Sequence, residues 1–498
     1  MPKANPRPTR TRQQQGTGEE RAIKGRYSVS HSFPDGAIAD MVYSKFTERI
    51  AFAVSRKGET CLLEELMLDK EGNLTPDESS AIAKLIPARS VRDLIDKNFI
   101  NVATGGEEYG TLKDLHAALR EHIQKYVFLE DDRFYDVAIV YVLMSWVFDR
   151  FNTVPYLRVI GDMGTGKSRF LEVIGKLCNR SMMASGSISM AAVYRTLDLV
   201  QGTLVFDEAD FKSSDMSDDI VKILNGGHKK DTPVVRMECV NDVFKTTSFR
   251  VFGPKILGSR RSFADSALES RCITHRMFPQ KSVTVPVHLP VAFEPDTQIL
   301  RNKLLMFRLR NYHHIQDDES SLSGLDFPRL RQTALALTSI AKMIDEETLK
   351  SVLGFLVEYE QSFLNTVATD TFADILLCIS RLMETNEDVR KSGVMHMNLI
   401  ANSFNDQFFD DYTERDTPQV NTREGILFFP SQRVSAKKIG GYIDKLGIAK
   451  ERDSHGVFIP LHKEAPRIMS LVERYGLVDI LAKLRENDKK KIPITRTN

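Results

Sequence analysis

The stretch Gly161-Asp162-Met163-Gly164-Thr165-Gly166-Lys167-Ser168 constrains the fold of this chain more than any other. Its glycines let the backbone curl so that successive N–H groups converge on a phosphate, and a helix begun directly behind the loop adds its positive N-terminal end. Such a loop needs a strand before it and a helix after it. Tyr156-Leu157-Arg158-Val159-Ile160 reads as a short buried strand, and Phe170, Leu171, Ile174, Leu177 and Cys178 recur at helical spacing. The pattern predicts an α/β architecture that binds ATP with Mg²⁺. Gly161, Asp162, Met163, Gly164, Thr165 and Gly166 form the cradle, Lys167 neutralises phosphate charge, and the Ser168 hydroxyl is a metal ligand.

A second element is Thr203-Leu204-Val205-Phe206-Asp207-Glu208, a hydrophobic strand ending in two acids. A parallel sheet would bring these acids beside the terminal phosphate, Asp207 holding Mg²⁺ and Glu208 polarising the attacking water as general base. A third element is Phe252-Gly253-Pro254-Lys255-Ile256-Leu257-Gly258-Ser259-Arg260-Arg261, a strand running into a polar turn. It is followed by Asp265-Ser266-Ala267-Leu268-Glu269-Ser270-Arg271, which reads as a short helix presenting an arginine.

Together these runs resemble the AAA+ ATPases over about residues 130–360. In that family a strand after the metal-binding acids carries a polar sensor, and a later Leu-x-Ser-Arg-like segment supplies an arginine finger to a neighbouring subunit. The resemblance implies that Ser259 is the sensor, where the family usually has Asn, and that Arg271 is the finger, with Arg260 and Arg261 as competitors. It also implies a second sensor arginine in the helix opened by Pro328-Arg329-Leu330-Arg331, Arg329 being the first choice and Arg331 the second.

A chain of 498 residues is too long for one core and accommodates roughly three domains of about 150 residues. The formal charge of +1 favours no class of partner until charges are placed along the chain. Five scattered cysteines lack metal-ligand spacing and fit a reducing cytoplasm. The longest apolar run, Val137–Phe148, is too short to span a bilayer and reads as a buried helix, so no membrane partner is expected. No signal peptide or second enzymatic metal cluster is evident.

The expected order begins with a basic tail (1–26) and a small β-rich N-terminal domain (27–97), in which Asp35-Gly36 and Lys57-Gly58 mark turns. An AAA+ P-loop ATPase core with a parallel sheet (98–290) and a helical lid (291–366) follow. A winged helix-turn-helix domain (367–478) and a basic tail (479–498) complete the chain. Within the winged helix, Ser435 caps a helix with Ile439, Ile443 and Leu446 on one face and Gly447 as terminator, and a hairpin follows with its turn at Asp453-Ser454-His455-Gly456. Arg433, Lys437, Lys438 and Lys445 on this helix and Lys450, Arg452 and His455 in the wing are candidate DNA contacts, aimed at phosphates more than at bases. His228-Lys229-Lys230 is a further basic group that could line a central channel.

This order looks most like helicases of phages, plasmids and other mobile elements, and distantly like minichromosome-maintenance helicases. It implies an ATP-driven DNA motor that assembles with itself as a hexameric ring and meets replication proteins. An ATP-switched DNA-binding initiator and a remodelling ATPase without unwinding activity are the alternatives.

Overall fold

The computed structural model describes residues 25–44, 48–184, 188–207, 209, 215–240, 243–263, 265–279, 285–368, 371–408, 434–475, 477 and 478. Glu208 and Arg433, both expected site residues, lie outside the described residues, as do the two basic tails apart from Gly25 and Arg26. The chain divides into two compact units, Met1–Leu356 and Val357–Asn498.

A six-stranded sheet is the centre of the first unit. Its order across the sheet is Cys272–Arg276, Tyr156–Ile160, Lys255–Ser259, Leu204–Phe206, Ser181–Ala184 and Ile100–Asn101. The first five strands are parallel and the last is antiparallel. All five residues of Tyr156–Ile160 are buried, as expected of a parallel strand covered on both faces. One of them is Arg158, which is 0% exposed. Its guanidinium survives there because Nη1 meets Glu269 Oε2 at 2.6 Å, Nε donates to Thr274 Oγ1 at 3.0 Å and the Phe263 ring lies 4.6 Å away. That pair anchors the short helix Ser266–Glu269 to this strand.

The expected buried helix forms over Arg133–Ser145, with every residue after the first buried. Beside it runs Leu112–Tyr126, opened by a capping box in which Thr111 and Asp114 satisfy each other's backbone N–H groups. Its buried face holds Leu115, Leu119 and Ile123. Helices Phe293–Asn311, Pro328–Ile344 and Glu346–Ala368 follow the last core strand.

The N-terminal segment forms an antiparallel meander of Ser30–Ser32, Ile38–Ser44, Arg49–Arg56 and Glu59–Leu63, beside a second sheet of Gly25–Ser28, Ala83–Pro87 and Leu66–Leu68. Lys57 (φ +52°) and Gly58 (φ +85°) make the left-handed turn expected of a tight hairpin. Four distant segments meet in a buried ionic network beneath this meander. Arg180 Nη1 contacts Asp40 Oδ1 at 2.6 Å, while Arg308 lies 2.7 Å from Asp40 and 2.8 Å from both Asp149 oxygens. Burial would raise the Asp149 carboxyl, but the charges of Arg308 and Arg180 and its hydrogen bonds hold it below the ordinary range.

The second unit contains helices Thr371–Thr385, Glu387–Ser392, Met397–Phe408, Ala436–Lys445 and Leu461–Arg474. A three-stranded antiparallel sheet runs in the order Val394–His396, Gly456–Pro460, Glu451–Asp453. Ile375, Ile400, Ile439, Ile443, Ile459 and Ile468 share its core. Ser435 accepts a hydrogen bond from Lys438 N, and Gly447 ends the helix at φ +67°, where only glycine is unstrained. The sequence did not suggest the strand Val394–His396 or the helix Leu461–Arg474.

Candidate active site

The glycine loop connects the C-terminal end of Tyr156–Ile160 to the helix Lys167–Leu177. Gly164 and Gly166 take φ of +80° and +90°, and a Cβ on Gly161 would stand 2.6 Å from Met277 O and from Thr165 Oγ1. Thr165 Oγ1 donates to Asp162 O at 2.9 Å and closes the turn. Lys167 Nζ donates to Gly161 O at 2.6 Å and Asp162 O at 2.7 Å, so the ammonium folds back over the loop.

Side-chain chemistry converges at the mouth of this loop. Ser168 Oγ donates to Asp207 Oδ2 at 2.7 Å, across 39 positions of sequence. A hydroxyl and a carboxylate together are hard oxygen donors of the kind Mg²⁺ takes, so the residues present fit that ion. A cavity of about 470 Å³ opens above them, lined by Met163, Gly164, Thr165, Gly166, Lys167, Ser168, Arg169, Asp207, Gly258 and Arg260. Arg169 also donates to Pro286 O at 3.0 Å and Val287 O at 2.7 Å, which ties the first turn of the loop helix to the chain beyond the last strand.

Ser259 does not line the cavity. It is 1% exposed and its Oγ donates to Arg261 O at 2.9 Å. The strand Lys255–Ser259 is inserted between the loop strand and the acid strand, so its end does reach the site. Side chains alternate along a strand, however, and here Gly258 and the following Arg260 face the cavity instead.

Arg271 is at the opposite end of the strands, just before the strand that pairs with Tyr156–Ile160. Its backbone oxygen accepts from Tyr156 N at 2.9 Å, at the start of the strand whose other end bears Gly161. Four residue steps of about 3.3 Å put roughly 13 Å of strand between the two ends. Arg271 Nε donates to His228 Nδ1 at 3.0 Å, and Nη1 donates to Asn225 Oδ1. Arg329 lies at this same end, with Nε 3.4 Å from Ser270 Oγ and Nη1 2.7 Å from Gln332 Oε1. Burial and the neighbouring Arg271 charge lower its pKa. Arg331 Nη1 donates to Leu325 O at 2.7 Å and Leu322 O at 3.2 Å, holding a loop of its own chain.

In the second unit Lys437, Lys438, Lys445, Arg452 and His455 are exposed. Lys450 is committed instead, its Nζ donating at 2.8 Å to both Gly440 O and Asp444 Oδ2.

Sequence reasoning missed the antiparallel ribbon Val234–Val240 with Val243–Phe249, which pairs apart from the main sheet. Its signal was present: β-branched residues on either side of Asn241-Asp242. Val235, Met237 and Phe244 on it are 52%, 65% and 71% exposed, far more than a hydrophobic core element allows. Among the described residues no group of three or more His, Cys, Asp or Glu could hold a metal, and no helix is long and apolar enough to cross a membrane.

A parallel sheet with a glycine loop between strand and helix, and an acid at the end of a neighbouring strand, is a mixed α/β arrangement consistent with a P-loop NTPase-like fold. No family model matches the chain, and no curated protein matches it in sequence. Solved structures similar to it include the apo C-terminal region of NrS-1 (11% identity, covering 84% of this chain and 96% of that one, TM-score 0.33). Others are JCV helicase (11%, 51% and 62%, 0.24) and the Thermotoga maritima RuvB Holliday junction branch migration motor (11%, 68% and 96%, 0.22). At these TM-scores the likeness carries no weight beside the site's own geometry.

Proposed function

We propose that this chain hydrolyses ATP and works as a ring-forming DNA motor, a helicase in the replication of a phage, plasmid or other mobile element. The observation that carries the reading is the Ser168–Asp207 contact at 2.7 Å beneath the glycine loop and its cavity. In this account the loop N–H groups and Lys167 bind the phosphates, and Ser168 and Asp207 hold Mg²⁺, which when bound neutralises charge on the β- and γ-oxygens. Glu208, next in sequence to Asp207, takes the proton of the attacking water. Arg260 stabilises charge at the terminal phosphate from within the same chain, the task first expected of Ser259.

Arg271 cannot serve its own cavity from the far end of the strands. Its place supports a role in a second copy's site, which makes a ring the working form. Arg329 shares that end and would act on the same neighbouring nucleotide rather than on its own. The order of two helices, a strand, two helices and a hairpin from Thr371 to Pro460 supports a winged helix, with Lys437, Lys438, Lys445 and Arg452 touching phosphates and Lys450 bracing the helix from inside. Lys229, Lys230 and the exposed ribbon Val234–Phe249 are further surfaces for the strand being moved.

A forked-duplex assay tests the whole. The wild-type chain with ATP and Mg²⁺ separates the strands and Asp207→Asn does not. DNA-stimulated hydrolysis without separation on either 3′- or 5′-tailed forks would contradict a motor and favour an ATP-switched initiator.

A further inference from the structure

The residues that grip Arg271 belong to the root of the exposed ribbon. Helix Asp215–Gly226 ends at Asn225 and Gly226, and the ribbon begins at Val234. Asn225 receives Arg271 Nη1 on its Oδ1, while its Nδ2 lies 3.4 Å from Asp265 Oδ2. His228 receives Arg271 Nε on Nδ1 at 3.0 Å, yet the same Nδ1 is also 3.0 Å from Asn225 O. One ring nitrogen cannot do both. With a lone pair it accepts from Arg271; with a proton it donates to the carbonyl and turns a positive edge toward the guanidinium. Burial, then the charges of Arg271, Arg329 and Lys255, push the ring down to about 4, against the raising effect of Asn225 O, so it is neutral near pH 7 and accepts from Arg271 in the tautomer that carries its proton on Nε2.

The root itself is stitched on both sides. Val154 N donates to His228 O at 3.0 Å and Lys230 N to Asn152 O at 2.9 Å. Lys255 Nζ donates to Gly227 O on the upstream leg and to Val251 O and Gly253 O on the downstream leg, at 3.1, 2.9 and 2.9 Å. These bonds fix Gly227 and His228, and with them the seat of Arg271, between the core and the two legs of the ribbon, so a pull on the ribbon loads the bonds that hold that seat.

We infer that Asn225 and His228 are positioning residues that hold Arg271 docked at the foot of the ribbon Val234–Phe249, and that a nucleic-acid strand pulling on the ribbon releases the guanidinium toward a neighbouring copy's cavity. The docking is a property of this chain; the destination of the released arginine rests on the function proposed above. Docked and released states exclude each other, so occupancy of the ribbon and hydrolysis next door are coupled through two side chains.

The test is a mutant cycle on the full chain, reading ATP turnover with and without a dT40 oligonucleotide. Asn225→Ala raises DNA-free turnover by about tenfold, the shift expected from losing one charge-assisted hydrogen bond, and shrinks the stimulation by dT40 correspondingly. In an Arg271→Ala background the same change has no effect. Asn225→Ala lowering turnover as Arg271→Ala does, or leaving the stimulation intact, would overturn the inference. A second readout needs no turnover: the titration of His228 by NMR of histidine-labelled protein, its signal assigned by its loss in His228→Gln. Arg271→Ala moves the midpoint upward from about 4, because a docked positive charge is gone. An unmoved midpoint overturns the docking, whereas a moved midpoint in a protein that hydrolyses no ATP keeps the docking and sinks the proposed function.

Discussion

Lys255 gives the sharpest quantitative expectation. Its side chain is 0% exposed, its ammonium donates to three carbonyls and the Tyr156 ring lies 4.9 Å from Nζ. Burial lowers its pKa from 10.5 to about 7. Below pH 7 the folded and unfolded chains both carry the proton, so the full cost of burying the charge is present. Between about pH 7 and 10.5 the unfolded chain binds a proton that the folded chain does not, so stability rises with pH. At about 1.4 kcal/mol per pH unit, the gain from this group between pH 7 and 10 is about 3–4 kcal/mol. Lys255→Met keeps the apolar stem and removes the proton site. Urea unfolding of both proteins at several pH values from 7 to 10 measures the difference, which cancels the titration of other groups. The wild-type stability climbs relative to the variant across that range. Parallel curves would show that the three carbonyls and the ring keep the amine charged throughout, and the reasoning would fail.

Glu269→Ala leaves the Arg158 guanidinium buried without its carboxylate and lowers unfolding stability by about 3–5 kcal/mol, measured by urea denaturation. Gly161→Ala forces a methyl to within 2.6 Å of Met277 O; the loop must shift, and affinity for a fluorescent ATP analogue falls at least about tenfold while far-UV circular dichroism is retained. Lys437→Ala with Lys438→Ala weakens duplex binding and makes log affinity fall less steeply with log salt, by about 0.9 in slope for each phosphate that a lysine no longer neutralises, read by fluorescence anisotropy.

The glycine loop between strand and helix and the strand ending in Asp207 were legible because each has a local signature. Glycines mark where the backbone turns, and a hydrophobic strand ending in Asp207 marks the C-terminal end of a sheet strand, so a parallel sheet brings Ser168 and Asp207 to the same end. Ser259 and Arg260 were not separable this way. They are adjacent in the chain, and which one enters the cavity depends on the pleat at the end of Lys255–Ser259. Arg329 illustrates a different limit: a basic residue in the first turn of a helix does not reveal which end of the strands that turn packs against. The Asp40, Asp149, Arg180 and Arg308 network was invisible, because its members come from four segments that meet only when the N-terminal meander closes on the core. In the second unit the Ser435 cap and Gly447 terminator were readable, while the three-residue strand Val394–His396 is too short to carry a period.

The central claim is that Gly161–Ser168 with Asp207 forms an ATP-hydrolysing site, and Lys167→Ala tests it most directly. Wild type and variant, purified identically and shown to be folded alike, are compared for phosphate release from ATP with Mg²⁺. The account predicts turnover in the wild type and none above background in the variant, since the ammonium now folded over Gly161 and Asp162 is the group that meets the phosphates. Equal turnover in the two proteins would contradict it.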